Sequence, residues 1–444
     1  MLKQNFEELF KLKSVSKLAS EIFFYNLNKL ITNQSNYIKT SEILPLEKTD
    51  AVYDESTETI YFEHLLPEIK KVAVIKLNGG LGTSMGLDQP KSQLVVKNGL
   101  NFLEITCNQI KKFREKHSLD TPLIFMNSFN TQDKTQENIQ KIGFKNKDLP
   151  WFFIENKSPK LKKSNNSINE VEYSPAKYSS NPELEWAPPG HADVYPSLYE
   201  SGLLDELITK GYEYLFISNV DNLGASLNFN IFEKYLKLDS DFVMEIASRT
   251  ENDKKGGHLA LKDNKLILRE LAQVSSEDES DFQNYLKYKF FNTNSIWIKT
   301  RALKNLMDKN KGILDLPIII NEKNINPIDP TSEKIIQLET AMGSAISLFE
   351  NAKTILVPPK RFIPVKNTNN LLYLLSDLVF MNSDFELFPQ KTIRIELNPS
   401  FYKNVSDFLK RFKVIPSLKN CDSFVINTDK IFDKSEIFQG DVLI

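Results

Sequence analysis

Cysteine is nearly absent from this 444-residue chain. With only Cys107 and Cys421 there is no disulfide framework, and neither sits at a metal-ligand spacing. No apolar run nears the roughly 18 residues a membrane-spanning helix needs. The opening residues carry Glu7 and Glu8 and no leader pattern. Charge of one sign is missing too: 56 basic residues against 58 acidic leave a net charge of −2, which argues against a dedicated nucleic-acid binder. These absences predict a cytoplasmic protein with no membrane or nucleic-acid partner. Any attraction for a polyanion must be local.

What is present is an ordinary soluble composition, 41% apolar and 26% charged, on a chain long enough for two or three domains. Its most informative stretch is Ile75 to Ser92, IKLNGGLGTSMGLDQPKS. Val72–Leu77 is an almost unbroken apolar run that stops at Asn78, as a buried parallel strand feeding a turn does. Gly79, Gly80, Gly82 and Gly86 then keep side-chain bulk low, so backbone N–H groups can approach anionic oxygens. Lys91 closes the stretch with a positive charge. The pattern reads as a phosphate cradle, yet it is neither a P-loop nor a dinucleotide fingerprint, because the glycine spacings fail both templates.

Downstream, short apolar runs alternate with helical patterns. Val72–Leu77, Leu123–Met126, Trp151–Ile154, Tyr214–Ser218 and Phe242–Ala247 read as strands; Asn101–Lys116, Gln132–Ile142 and Phe229–Leu238 read as helices. This alternation predicts an α/β fold, a Rossmann-like, mostly parallel sheet with helices on both faces and ligands beyond the carboxyl ends of the strands. Residues 4 to about 31 read as a packing helix and Thr32–Asp50 as a linker. The Ser- and Asn-rich stretch 164–181 reads as a mobile loop, and Gln337–Ile346 as a helix with one small-residue face.

Several strand ends carry chemistry. Pro188-Pro189-Gly190-His191 holds a histidine on a stiffened loop suited to an anion. Asn219-Val220-Asp221-Asn222 ends a buried strand with a carboxylate where Mg²⁺ beside phosphates would be held. Gly257, Glu270, Asn292 and Asn294 offer close backbone approach, an acceptor and amides, the mixture sugar hydroxyls need. Lys157 and Lys160 face phosphate or solvent, and Arg361 and Lys366 stand on a proline-stiffened stretch. His258 is expected at the surface. Near the end, Val425-Ile426, Ile431-Phe432, Ile437-Phe438 and Leu443-Ile444 recur every six residues, the rhythm of stacked parallel β-helix turns.

These segments, in this order, resemble the eukaryotic-type UTP–glucose-1-phosphate uridylyltransferases. The family loop L-N-G-G-L-G-T-S-M-G…G-P-K-S is matched from Leu77, with Gln89 in place of a glycine. P-P-G-H-G-D is matched at Pro188–Asp193, with Ala192 in place of a glycine. N-x-D-N-L-G-A, K-G-G, L-x-E-x-A-Q-V, F-N-T-N, Q-L-E-T-A-x-G-x-A-I and R-F-x-P-V-K follow in turn.

The resemblance implies uridylyl transfer from UTP to glucose 1-phosphate, giving UDP-glucose and pyrophosphate, with Mg²⁺ as cofactor. It implies nucleotide contacts from Leu77, Asn78, Gly79, Gly80, Gly82, Thr83, Lys91, Glu155 and Gly190. Glu155 stands where the family carries a glutamine that reads uracil. Sugar-phosphate contacts fall to His191, Asn219, Gly257, Glu270, Asn292, Asn294 and Lys366. Asp221 becomes the metal ligand, and Lys91 and Lys366 the catalytic cations.

Residues 1–45 are expected to form an N-terminal helical segment and 46–380 the catalytic domain, and the resemblance implies that 381–444 form a small left-handed parallel β-helix. That last unit packs on its neighbour or on a second copy of the chain. A UDP-N-acetylhexosamine or broad UDP-sugar pyrophosphorylase is the alternative enzyme, although those relatives carry alanine where this chain has Asn78. A sugar-nucleotide sensor without catalysis is the alternative class.

Overall fold

The computed structural model describes residues 2–32, 37–53, 62–165, 171–327, 329 and 331–444. Its centre is a large mixed sheet. The main path runs Ala51–Val52, Ala352–Leu356, Phe242–Ser248, Phe290–Lys299, Tyr214–Asn219, Val72–Asn78, Leu123–Asn127, Phe152–Ile154. Every neighbouring pair is parallel except the two made by Phe290–Lys299, which runs antiparallel to both its neighbours. His258–Lys262 and Lys265–Arg269 extend the sheet from Phe290–Lys299, and Leu44–Pro45 pairs with the former.

Val72–Asn78 is buried along its whole length, and its side chains divide between two cores by strand alternation. Val72 and Val74 face Phe102 and Ile110 of the helix Phe102–His117 and Phe232 and Tyr235 of the helix Phe229–Leu238. Ala73, Ile75 and Leu77 face the helices Val194–Glu200, Leu203–Thr209 and Thr300–Lys309 through Val194, Leu198, Leu204 and Leu303. Helices therefore cover both faces, which is why these strands read as continuous apolar runs. Helix Phe102–His117 starts where local chemistry dictates. Asn101 caps the Glu104 N–H at 2.9 Å and Glu104 returns a bond to the Asn101 N–H at 2.8 Å.

Four expectations about local structure change. The N-terminal segment is two helices, Leu2–Leu12 and Lys17–Ile31, because Ser14 turns left-handed (φ 51°) and Ser16 caps the second. Phe6, Phe10 and Phe23 pack with Trp186, Leu161 and Ile336 onto a second sheet, in which Val171–Pro175, Leu161–Asn165, Lys334–Thr340 and Ile318–Asn324 lie in that order, all antiparallel. Val171–Pro175 and the last two residues of Leu161–Asn165 fall in the stretch 164–181 read as a mobile loop, yet these two strands pair antiparallel, and 166–170 lie outside the described residues.

A third strand of that sheet, Lys334–Thr340, replaces the first half of the helix read at Gln337–Ile346, and a 3₁₀ turn, Met342–Leu348, follows it. Ile336 and Leu338 are buried by cross-sheet packing, which outweighs a short helical pattern. The small residues still serve close packing, since a Cβ on Gly343 would lie 2.7 Å from Leu268 and 2.8 Å from Asn292. Finally, His258 is fully buried, stacked 3.9 Å from Tyr288. Burial, with Arg249 and Arg269 adding to it, pushes its ring down to about 3.

The last sixty residues carry a parallel three-stranded sheet, Arg394–Leu397, Ser417–Ile426 and Ile437–Leu443. Phe424 pairs with Val442, 18 residues or three six-residue steps on, but the register shifts earlier in the pair, where Ser417 lies opposite Ile437 and Asn420 opposite Gln439. One member of each later apolar pair faces out: Ile431, Ile437 and Leu443 are exposed while Phe432 is buried. Among the described residues no helix is long and apolar enough to cross a membrane.

Candidate active site

The carboxyl ends of Val72–Asn78 and Tyr214–Asn219 lie side by side, with Leu77 opposite Asn219. Beyond the first, the chain turns through Gly82 and Gly86, both with φ of 69°, a backbone that side chains rarely adopt. The Lys91 N–H donates to the Gly80 carbonyl at 3.1 Å, closing the loop on itself. Thr83 starts a 3₁₀ turn and is exposed, and Gly80 opens onto free space. Lys91 and Asp221 meet as an ion pair, each side chain less than a fifth exposed. Asn78 is turned inward; its amide donates to Asn127 at 2.7 Å and to Thr135 at 3.0 Å, anchoring the loop from beneath.

Glu155 closes the opposite side of the glycine loop. A Cβ on Gly79 would lie 2.1 Å from Glu155 Oε1, so any side chain there would displace the Glu155 carboxyl. The Glu155 side chain is buried and its Oε1 finds no hydrogen-bond partner among the described residues. Burial above all, then Asp193 and Glu339, raise its carboxyl well above the usual range, which favours the protonated acid. As a neutral acid it has one donor and one acceptor, the pair an amide offers. Its neighbour Asn156 is tied to Asp193 through its N–H at 2.6 Å and its side chain at 3.2 Å. Burial lifts Asp193 to about 6 against the bonds it accepts from Ser197 and Asn156.

Gly190 and His191 stand above Asp193. Gly190 has φ 92°, and a Cβ there would lie 2.5 Å from the backbone N and O of Thr340. His191 Nδ1 accepts the Met342 N–H at 2.9 Å, which places the proton of the neutral ring on Nε2, free to donate. Burial lowers its pKa, opposed by Glu339, so the neutral form prevails. Ala192 sits in the 3₁₀ turn His191–Asp193 without positive φ, so its methyl causes no strain.

The sugar-side residues form the next arc. A β-bulge between Glu245 and Ile246 breaks the pairing of Phe242–Ser248 with Phe290–Lys299 at residues 292–295, and Asn294 turns left-handed (φ 56°). The bulge re-aims both amides: Asn292 Nδ2 donates to Asn294 Oδ1 at 2.7 Å. The Asn292 N–H donates to the Gly257 carbonyl at 3.2 Å. Gly257 in turn leaves room for Glu270, whose Oε2 would be 2.3 Å from a Cβ. Burial raises the Glu270 carboxyl while the nearby Lys366 opposes the rise. Lys366 is exposed, its Nζ 5.7 Å from the Phe362 ring.

Hydrogen bonds, close approaches and charge link these residues in a circuit: the glycine loop to Glu155, Glu155 to Asp193, His191 to Met342, Gly343 to Asn292, Asn292 to Gly257, Gly257 to Glu270 and, by charge alone, Glu270 to Lys366. Asn222, beside Asp221, bonds residues 361–363. Lys160, expected to face phosphate or solvent, does neither. It is buried, donates to the Ile325 carbonyl at 3.2 Å, and is pushed by burial down to about 8. Lys157 lies over the Trp186 ring at 5.1 Å.

Sequence reasoning missed the support behind this circuit. Arg361, read within a charge run, is buried and pairs with the fully buried Glu245 at 2.9 Å, while Trp297 donates to the same carboxylate at 3.0 Å. The available signal was the lone carboxylate inside the apolar run Phe242–Ala247, since a charge there demands a buried partner. Lys76 was passed over in the same way. Its Nζ donates to Ser218 at 2.8 Å and to the Ala225 carbonyl at 2.6 Å, and burial pushes it down to about 7.

Known proteins resemble this chain over nearly its whole length. Residues 20–439 match the family model for UTP–glucose-1-phosphate uridylyltransferase. The UTP–glucose-1-phosphate uridylyltransferase of Musa acuminata is 36% identical over 98% of this chain and 91% of its own length. UTP–glucose-1-phosphate uridylyltransferase 2 of Dictyostelium discoideum is 36% identical over 99% and 88%. Among solved structures, the UDP-glucose phosphorylase of Trypanosoma brucei superposes with a TM-score of 0.86 at 37% identity, covering 98% of both chains. A variant of the Leishmania major UDP-glucose pyrophosphorylase in complex with UDP-glucose gives 0.89 at 35% identity, covering 100% of this chain and 94% of that one. The full-length match, together with more than a third of residues shared with these relatives, makes this chain a member of the UTP–glucose-1-phosphate uridylyltransferase family.

Proposed function

We infer that this pocket carries out its family's reaction, in which UTP and glucose 1-phosphate give UDP-glucose and pyrophosphate, reversibly. The observation that carries the reading is the Lys91–Asp221 pair at the mouth of the glycine loop. A glucose 1-phosphate oxygen is already charged, so it needs no base. It attacks the α-phosphorus of UTP in line, and the bond from that phosphorus to the bridging oxygen breaks as pyrophosphate leaves. No covalent enzyme intermediate is required. The protein must hold two anions together and neutralise their repulsion.

In this reading the amides of residues 79–83 receive the UTP phosphates, and Lys91 and Lys366 supply fixed positive charge. Glu155 faces the uracil edge. His191, through Nε2–H, faces the sugar phosphate, while Glu270, Asn292, Asn294 and the backbone at Gly257 and Asn219 take the sugar. Family membership implies a divalent metal, and the residues fit Mg²⁺. Asp221 offers one carboxylate, and among the described residues no cluster of three or more His, Cys, Asp or Glu is placed to hold a metal. One carboxylate completed by phosphate oxygens and water is the set Mg²⁺ prefers. Bound there, Mg²⁺ would neutralise phosphate charge as a Lewis acid.

We assign residues 46–380 to catalysis, 1–45 to an N-terminal helical segment, and 381–444 to a left-handed parallel β-helix. The parallel pairing of Ser417–Ile426 with both Arg394–Leu397 and Ile437–Leu443 supports stacked parallel turns there. The test of the reaction is Lys366→Ala, assayed by pyrophosphate release from UTP and glucose 1-phosphate. Loss of a charge that acts on the transferring phosphoryl group should lower kcat by about 10²–10³. Near-normal turnover would remove Lys366 from the mechanism, and greater turnover with N-acetylglucosamine 1-phosphate would reassign the substrate.

A further inference from the structure

Asn222 follows Asp221 directly, yet its side chain is spent on backbone rather than on the pocket. It is buried, at 2% exposure. Its Oδ1 accepts the Ile363 N–H at 3.0 Å, and its Nδ2 donates to the Arg361 carbonyl at 3.0 Å. An isolated antiparallel bridge joins Asn222 to Pro364. Two residues on, a Cβ at Gly224 would lie 2.3 Å from the Lys360 carbonyl oxygen, so the two stretches touch backbone to backbone. Arg361 completes the seam with a bond to the Ser226 carbonyl at 2.7 Å and its pair with Glu245. The turn that presents Asp221 and the stretch that presents Lys366 are thus one body, and Asn222 is the side chain of the turn that bonds the backbone on both sides of Phe362.

We propose that Asn222 is a positioning residue for uridylyl transfer, holding the stretch that carries Lys366 to the turn that carries Asp221 through the backbone of residues 361–363 without touching substrate. The role needs an amide. Ile363 requires an acceptor and Arg361 a donor; aspartate supplies only the first and alanine neither. The inference rests on the assignment of Lys366 made above.

A double-mutant cycle on the full chain, with UTP, glucose 1-phosphate and Mg²⁺ in excess, tests it. Asn222→Ala should lower kcat about 10- to 100-fold and change the KM for UTP by less than about threefold, because the glycine loop is held by other elements. Residues that act through one another are not additive, so Asn222→Ala combined with Lys366→Ala should be within about twofold of Lys366→Ala alone. A merely structural residue would multiply its loss onto that of Lys366. The near-isosteric Asn222→Asp keeps the bond to Ile363 and carries the same comparison if the alanine variant does not fold. Multiplying losses in the cycle would overturn the proposal and leave the Lys366 assignment standing. Wild-type turnover in Lys366→Ala would defeat that assignment, and the proposal with it.

Discussion

Replacing Glu155 with glutamine asks whether the pocket holds a neutral acid. An unfolded glutamate ionises near its ordinary value of about 4.3. Folded Glu155 keeps its proton well above that, because burial and then Asp193 and Glu339 penalise its charge. Between those two pKa values the folded state binds one proton more than the unfolded chain. Unfolding free energy therefore falls as pH rises, by up to about 1.4 kcal/mol per pH unit, and the fall ends once the folded carboxyl ionises. Glutamine has no proton to lose and keeps a donor and an acceptor. Relative to wild type, Glu155→Gln should gain stability across that window with the same slope. Urea unfolding at steps from about pH 5 to 8 measures the difference directly. The KM for UTP gives a second readout: flat with pH in the variant, rising in wild type as Glu155 ionises. Parallel stability curves for the two proteins would refute the reasoning.

Arg361→Ala leaves the Glu245 carboxylate buried without its cation, and should cost about 3–5 kcal/mol of unfolding free energy, read by urea denaturation. His258→Phe keeps the ring against Tyr288 but removes a histidine held down to about 3. From the unfolded value of about 6.5 downward the unfolded chain binds the extra proton, so wild type should lose up to about 1.4 kcal/mol per pH unit relative to the variant, until the folded ring titrates. Thermal unfolding between about pH 7 and 4.5 checks the sign.

The strands of the central sheet were legible because burial on both faces leaves an unbroken apolar run, as at Val72–Leu77 and Tyr214–Ser218. The helix at Phe102 was legible because Asn101 and Glu104 cap it locally. Misreadings fell where a partner distant in sequence decides the outcome. Lys334–Thr340 is a strand because Ile318–Asn324 lies beside it. His258 is inside because Tyr288, thirty residues away, stacks on it. Lys160 and Arg361 looked like solvated charge until Ile325 and Glu245 came within bonding distance.

The chain's own letters determined the glycine loop, the strand-end carboxylate and the paired lysines. Each depends on residue type at short spacing: glycine for left-handed backbone, an acidic group where a buried run stops, a cation beside an anion site. Tertiary structure alone decided that Lys91 meets Asp221, that His191 carries its proton on Nε2, that Glu155 is buried with its carboxyl held above the usual range, and that Asn222 clasps the Lys366 stretch. Those are facts of distance and dielectric between segments tens to hundreds of residues apart. They exist only once the sheet has brought the ends of its strands together.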